Sequence, residues 1–167
     1  LDRAVGGRND VVAVGPVTVF LALGHETPEG IWAVTPYWYK ANESEVNKKF
    51  VKAYERRFVF PPAFQAQFAY SAVKLYAEAV TRVGSTDDAL VAKALEGLSM
   101  EVPMGNITIR PEDHQAIFEV VGGKTSSGFF VTKSRKVIRT LDPMIRFPAE
   151  MISIPVDRTG CAMQREP

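Results

Sequence analysis

The chain has 167 residues, 46% of them hydrophobic and 23% charged. That length allows one ordinary domain or two small lobes with a real core, and the composition argues against wholesale disorder, collagen and coiled coil. Twenty Lys+Arg against 19 Asp+Glu leave a net charge of +1, too small to mark a nucleic-acid or membrane surface, and no apolar run approaches the roughly 18 residues of a membrane-crossing helix.

After a polar stretch around Gly6 and Gly7, residues 11–14 form a short apolar run ended by Gly15-Pro16. Such a run reads as a strand buried on both faces. Residues 17–23 are expected to form a short helix stopped by Gly24, 27–30 a turn, and 31–35 a second buried strand ended by Pro36. Beyond Tyr37-Trp38-Tyr39 the texture becomes helical. Val46, Phe50, Tyr54 and Phe58 recur at every fourth position, with Ser44 or Asn42 as N-cap, and Pro61-Pro62 ends the element. A second helix is predicted over 64–83, with Phe68, Ala72, Val73, Tyr76, Ala79, Val80 and Val83 on its apolar side and Gly84 at its end. Ser85 to Asp88 supply capping chemistry for a third helix with Leu90, Val91, Ala94, Leu95 and Leu98 as its apolar positions.

The period then changes to two over 105–110. Further strands are expected at 117–121 and 129–131, on either side of a hairpin turn at Gly122-Gly123-Lys124-Thr125, and another over 135–141. The tail from Asp142 carries four of the 11 prolines, at 143, 148, 155 and 167, and reads as irregular apart from an apolar piece at 151–156. Two strands, three consecutive helices and then several strands make a poor closed α/β domain, because each parallel crossover needs its own helix. The pairing strands are therefore expected to lie outside this sequence. Leu1 is not a Met, and no basic-then-apolar leader follows it, which also points to a chain that begins inside something longer.

Few motifs carry chemistry. Lys124-Thr125 resembles the end of a phosphate-binding loop, but Phe118 stands where its first glycine belongs and no helix follows. No Gly-x-Ser-x-Gly pentad is present. His25 and His114 lie in separate polar turns, short of a metal constellation, and the lone Cys161 excludes an internal disulfide. No cofactor is expected. Two places do have the makings of a binding site. Gly15-Pro16-Val17-Thr18 follows a strand at its carboxyl end, where open α/β sheets place ligands. Phe64-Gln65-Ala66-Gln67-Phe68 opens a long helix, where rings beside amides suit a mostly apolar pocket with a few orienting groups.

Residues 50–54 and 70–75, Val83-Gly84-Ser85-Thr86-Asp87, Ala94-Leu95-Glu96-Gly97-Leu98, and Gly105-Asn106-Ile107-Thr108-Ile109 followed by Glu112-Asp113-His114-Gln115 together resemble one family. It is the type I periplasmic binding proteins of ABC importers, typified by leucine/isoleucine/valine-binding proteins, and the similarity runs over about residues 10–125. The resemblance implies an α/β protein of two three-layer, Rossmann-like lobes joined by three crossover strands, of which this chain is the C-terminal part. Residues 1–37 would end the second lobe, 38–118 return to the first, and 119–167 cross the hinge back to the second. Tyr37-Trp38-Tyr39 and 118–121 would be two of the crossings.

The function implied is that of a non-enzymatic, periplasmic receptor that captures a small organic solute (an amide, an organic or aromatic acid, or an amino-acid-like molecule) between the lobes. Its partners would be the solute, a membrane permease and the missing N-terminal half, with no nucleic acid. The alternative is a ligand-sensing regulatory domain of the same fold, with a hydrolase or transferase a distant third. The ligand-binding residues implied are Pro16, Val17, Thr18, Phe64, Gln65 and Phe68. In amino-acid-binding members the loop after Gly-Pro carries a carboxylate for the ligand ammonium. Val17 and Thr18 stand there in this chain, which favours a neutral or carboxylate-bearing solute.

Overall fold

The computed structural model describes residues 12–161. Gly6 and Gly7, Val11 at the start of the first predicted strand, and Pro167 lie outside the described residues. The first elements are strand β1 (Val12–Val14), helix α1 (Pro16–Leu23) and strand β2 (Trp32–Thr35). Helices α2 (Glu45–Phe58), α3 (Phe64–Val83) and α4 (Asp88–Leu95) follow in an unbroken run. Strands β3 (Ser99–Val102), β4 (Gly105–Ile109) and β5 (Ala116–Ile117) form a small antiparallel sheet. The chain then runs through the long strands β6 (Val120–Val131) and β7 (Val137–Phe147) to a short helix, α5 (Ala149–Ile152), and a 3-10 turn at Val156–Arg158. The larger sheet has the order β1-β2-β6-β7, with β1 and β2 parallel and the other pairs antiparallel.

Local chemistry accounts for the helices. Ser44 caps α2 by accepting from the Asn47 amide at 3.2 Å, and Asn42 accepts from the Ser44 amide at 3.0 Å, so both expected capping residues are used in series. The Asp87 carboxylate accepts from the Ala89 and Leu90 amides, each at 3.1 Å, at the start of α4. Gly84 closes α3 in the left-handed conformation, its amide donating to Val80 O at 2.8 Å. The stripe on α2 buries through Phe50, whose ring meets Tyr37, Tyr54 and Tyr70, whereas Phe58 at its end is exposed. Val46 and Tyr54 on the same stripe are half-buried.

Other expectations also change. The apolar side assigned to α3 is rotated: its buried row is Gln67, Ser71, Leu75 and Ala79, while Val73 is 67% exposed. Two polar residues enter the buried row because the Gln67 amide donates to Ser71 Oγ at 2.6 Å, a pairing that apolar periodicity cannot register. Among the described residues β1 is the edge of its sheet and is not buried on both faces, with Val12 and Val14 exposed. Gly122-Gly123-Lys124-Thr125 is no hairpin turn but the middle of β6, paired with β2 on one side and β7 on the other. A Cβ on Gly123 would lie 2.8 Å from the Pro143 carbonyl oxygen, so close strand approach, not a turn, is what requires glycine there. The same pairing carries β7 through Asp142 to Phe147, where irregular chain was expected, and β3 completes a hairpin with β4 that no periodic signal marked.

One core joins both sheets. Tyr37 and Trp38, each 1% exposed, sit where the chain leaves β2 for the helices. Val17, Phe20, Val121 and Ile138 pack on the large-sheet side, and Leu75, Leu98, Val102 and Ile107 on the helical side. Burying each such side chain contributes roughly 1.5–3 kcal/mol.

Candidate functional site

The carboxyl end of β1 is fixed by the Gly15 amide, which donates to Val34 O at 3.1 Å. Gly15 then turns with φ 67, and Pro16 opens α1 with its ring in place of an amide that would lack a helical partner. The Phe64 ring lies directly over this turn, where a Cβ on Gly15 would come within 2.6 Å of its Cε1. Two segments 49 residues apart in sequence, the loop after β1 and the start of α3, therefore meet. Pro16 and Val17 are buried, Thr18 is exposed, and the Thr18 hydroxyl reaches only weakly to Gly15 O at 3.5 Å.

Beside this contact lies a hollow of about 320 Å³, walled by Val17 and Thr18 of α1, Tyr54 of α2, Phe60 and Ala63 of the link to α3, and Lys136 of the turn between β6 and β7. No carboxylate of the described residues lines it. Gln65 is exposed and lines neither this hollow nor the larger groove next to it. Phe68 belongs to that second groove, of about 470 Å³, with Ser71, Leu75, Ile107, Ile109 and Phe118 among its walls. Phe68 packs edge-on to Phe64 at 5.8 Å and to Phe118 at 5.6 Å, so an aromatic chain connects the two spaces. Of the six residues expected at a site, Val17 and Thr18 share the first hollow, Phe64 borders them through Gly15, Pro16 is packed beneath, and Phe68 and Gln65 lie elsewhere. Tyr54, Phe60 and Lys136 were not expected. Tyr54 read as helix stripe, Phe60 as the approach to Pro61-Pro62 and Lys136 as strand, and no local pattern links three residues that meet only in space.

The aromatic run after β2 is held by a buried network. Tyr37 Oη donates to Asn47 Oδ1 at 2.7 Å, and Asn47 Nδ2 donates to Tyr39 O at 3.0 Å and Asn42 O at 2.6 Å. Burial pushes the Tyr37 and Tyr39 phenols well above the ordinary tyrosine range, helped by Glu55 nearby. Lys133 reaches Glu55 at 3.2 Å and ties the β6–β7 turn to α2. His25 packs on Phe129 with centroids 4.9 Å apart and the rings tilted by 58°, and His114 Nε2 lies 3.3 Å from Glu96 Oε1. Among the described residues no group of His, Cys, Asp and Glu is arranged to hold a metal, and Cys161 is an exposed free thiol.

Residues 11–128 match the sequence family described as periplasmic binding protein. Leu/Ile/Val-binding protein homolog 4 of Brucella melitensis is 31% identical over 97 residues, 56% of this chain and 23% of that protein. Among solved structures, an amino acid ABC transporter substrate-binding protein from Pseudomonas fluorescens Pf-5 superposes with a TM-score of 0.78 at 25% identity, over 97% of this chain and 42% of its own. A solute-binding protein of an ABC transporter from Rhodopseudomonas palustris BisB5, in complex with 3,4-dihydroxybenzoic acid, gives a TM-score of 0.64 at 25% identity, over 84% of this chain and 37% of its own. The chain thus spans less than half the length of the relatives it matches. With the match covering most of its residues and the same α/β fold in its structural neighbours, the chain belongs to the periplasmic binding protein family, in its type I form.

Proposed function

We infer that this chain is part of the substrate-binding receptor of an ABC importer, which holds a small organic solute and does not transform it. The observation that carries the reading is the meeting of the Gly15 turn and Phe64 beside a hollow with hydroxyl, aromatic and cationic walls and, among the described residues, no carboxylate. A free α-amino acid brings an ammonium group, and holding that charge out of water without a carboxylate is costly. An aromatic or other organic acid, or its amide, meets no such penalty. The bound 3,4-dihydroxybenzoic acid of one relative supports an acid of this kind.

In this reading residues 1–37 and 119–167 belong to one lobe and 38–118 to the other, in keeping with the separate sheets β1-β2-β6-β7 and β3-β4-β5. The aromatic run 37–39 and the stretch 118–121 are the crossings. Solute binding shifts the population toward a closed form by its differential affinity for that form. The closed receptor delivers the solute, outside the cytoplasm, to a membrane permease.

Calorimetry on the intact protein tests this with leucine, benzoate, 3,4-dihydroxybenzoate and benzamide at up to millimolar concentration. An acid or the amide is expected to bind, and leucine far more weakly. Leucine binding more tightly than all three overturns the solute class, and no binding by any of the four overturns the receptor reading.

A further inference from the structure

Among the described residues the hollow beside Thr18 has one charged side chain in its wall, Lys136. Lys136 ends the turn between β6 and β7, where the Thr132 amide and hydroxyl both donate to Lys136 O, at 2.8 and 2.9 Å. The backbone from which this side chain departs is therefore anchored. The two lysines of the turn differ in employment. Lys133 is committed to Glu55 at 3.2 Å, whereas Lys136 makes no ion pair among the described residues. Lys136 thus brings to a wall shared with Tyr54, Phe60 and Thr18 a charge that no acidic side chain among the described residues engages, so that it is open to pairing with an anionic group of a ligand.

We propose that Lys136 is the charge-selecting residue of this site, its ammonium receiving the carboxylate of the solute while Tyr54 and Phe60 flank the apolar body. This assignment rests on the receptor reading above and adds to it the residue that distinguishes an acid from its neutral amide. A single point charge matches a singly charged carboxylate, whereas a doubly charged phosphate would leave one charge uncompensated. Thr18 contributes a hydroxyl at the same wall.

The test is calorimetry on the intact protein with 3,4-dihydroxybenzoate, 3,4-dihydroxybenzamide and leucine, for the unchanged protein and for Lys136→Met and Lys136→Arg. Lys136→Met is expected to weaken the acid about tenfold or more and the amide less than about twofold. Lys136→Arg, which keeps the charge, should hold the acid within about threefold. Because Lys136 is exposed, the thermal midpoint of both variants should match that of the unchanged protein. Equal losses for acid and amide, or an acid affinity indifferent to Lys136→Met, overturn the assignment and leave the receptor standing. So does binding of leucine alone. If the unchanged protein binds none of the three compounds, the receptor reading falls and the assignment with it.

Discussion

Asn47 shows how much structure one buried side chain can hold. Its carboxamide is spent completely on the Tyr37 hydroxyl and the Tyr39 and Asn42 carbonyls, and its own amide caps the helix through Ser44. Removing it leaves the buried Tyr37 phenol and Tyr39 carbonyl without a partner and takes a donor from the half-buried Asn42 carbonyl. Asn47→Ala should therefore destabilise the intact protein by about 2–4 kcal/mol, well beyond an exposed-site change. Urea unfolding measures this, and a loss under about 0.5 kcal/mol would show that water replaces the network. Gln67 is the contrasting case. It is fully buried, its amide satisfied by Ser71, yet its Oε1 has no partner among the described residues.

At the scale of elements, the β6–β7 pair is the spine on which β2 and the Lys136 turn depend. Its pairing passes through register shifts between Gly123 and Thr125 and between Thr125 and Phe129. Arg139 pins the second irregularity, donating to Thr27 O and Ser126 O at 2.6 Å each while its guanidinium lies 4.4 Å from the Phe129 ring centroid. Gly123 lets β7 approach, and the atoms nearest a Cβ there include the backbone carbonyl of Pro143, which cannot move aside as a flexible side chain would. Gly123→Ala is expected to cost about 1–3 kcal/mol, against a near-neutral Ser127→Ala at an exposed position of the same strand. Paired denaturation curves check it, and equal midpoints for the two variants would contradict the close approach.

For the molecule as a whole, stability should fall toward both ends of the pH scale for different reasons. Tyr37 and Tyr39 have phenols raised by burial, so the folded state keeps their protons when the unfolded chain has begun to lose them. Their contribution is complete below about pH 10 and is lost as pH rises above it. At the acid end the Arg110 guanidinium holds the Asp113 carboxyl below the usual carboxylate range, and Lys93 and His114 do the same for Glu96. Lowered folded values mean that this contribution is present near neutrality and is lost as pH falls below about 4. Thermal midpoints across pH test both limbs. Tyr37→Phe should flatten the alkaline limb and Asp113→Asn the acid one, and unchanged slopes would contradict the assignment.

The ends of α2 and α3 and the start of α4 were legible in the sequence, because the information is local: Ser44, Asp87 and Gly84 terminate elements by bonding within a turn of themselves, whereas α4 stops at Leu95, short of the expected Leu98, and the turn at 149–152 was not marked. Membership of the family was legible as well, since ordered blocks along the chain carry it. Strand continuity was not. The glycine pair at 122–123 carries the composition of a turn, and only the neighbours Ala33, Pro143 and Phe147 make it a strand interior. The inner face of α3 was likewise decided by tertiary contact, because Gln67 and Ser71 become buriable only by bonding to each other. The candidate site divides in the same way. Sequence alone marked the turn at Gly15 and the start of α3 as places where ligands bind, each by its position at the end of an element. That Phe64 covers Gly15, that Phe68 faces a different groove, and that Lys136 joins Thr18 from more than 100 residues away were settled by packing, which no local periodicity records.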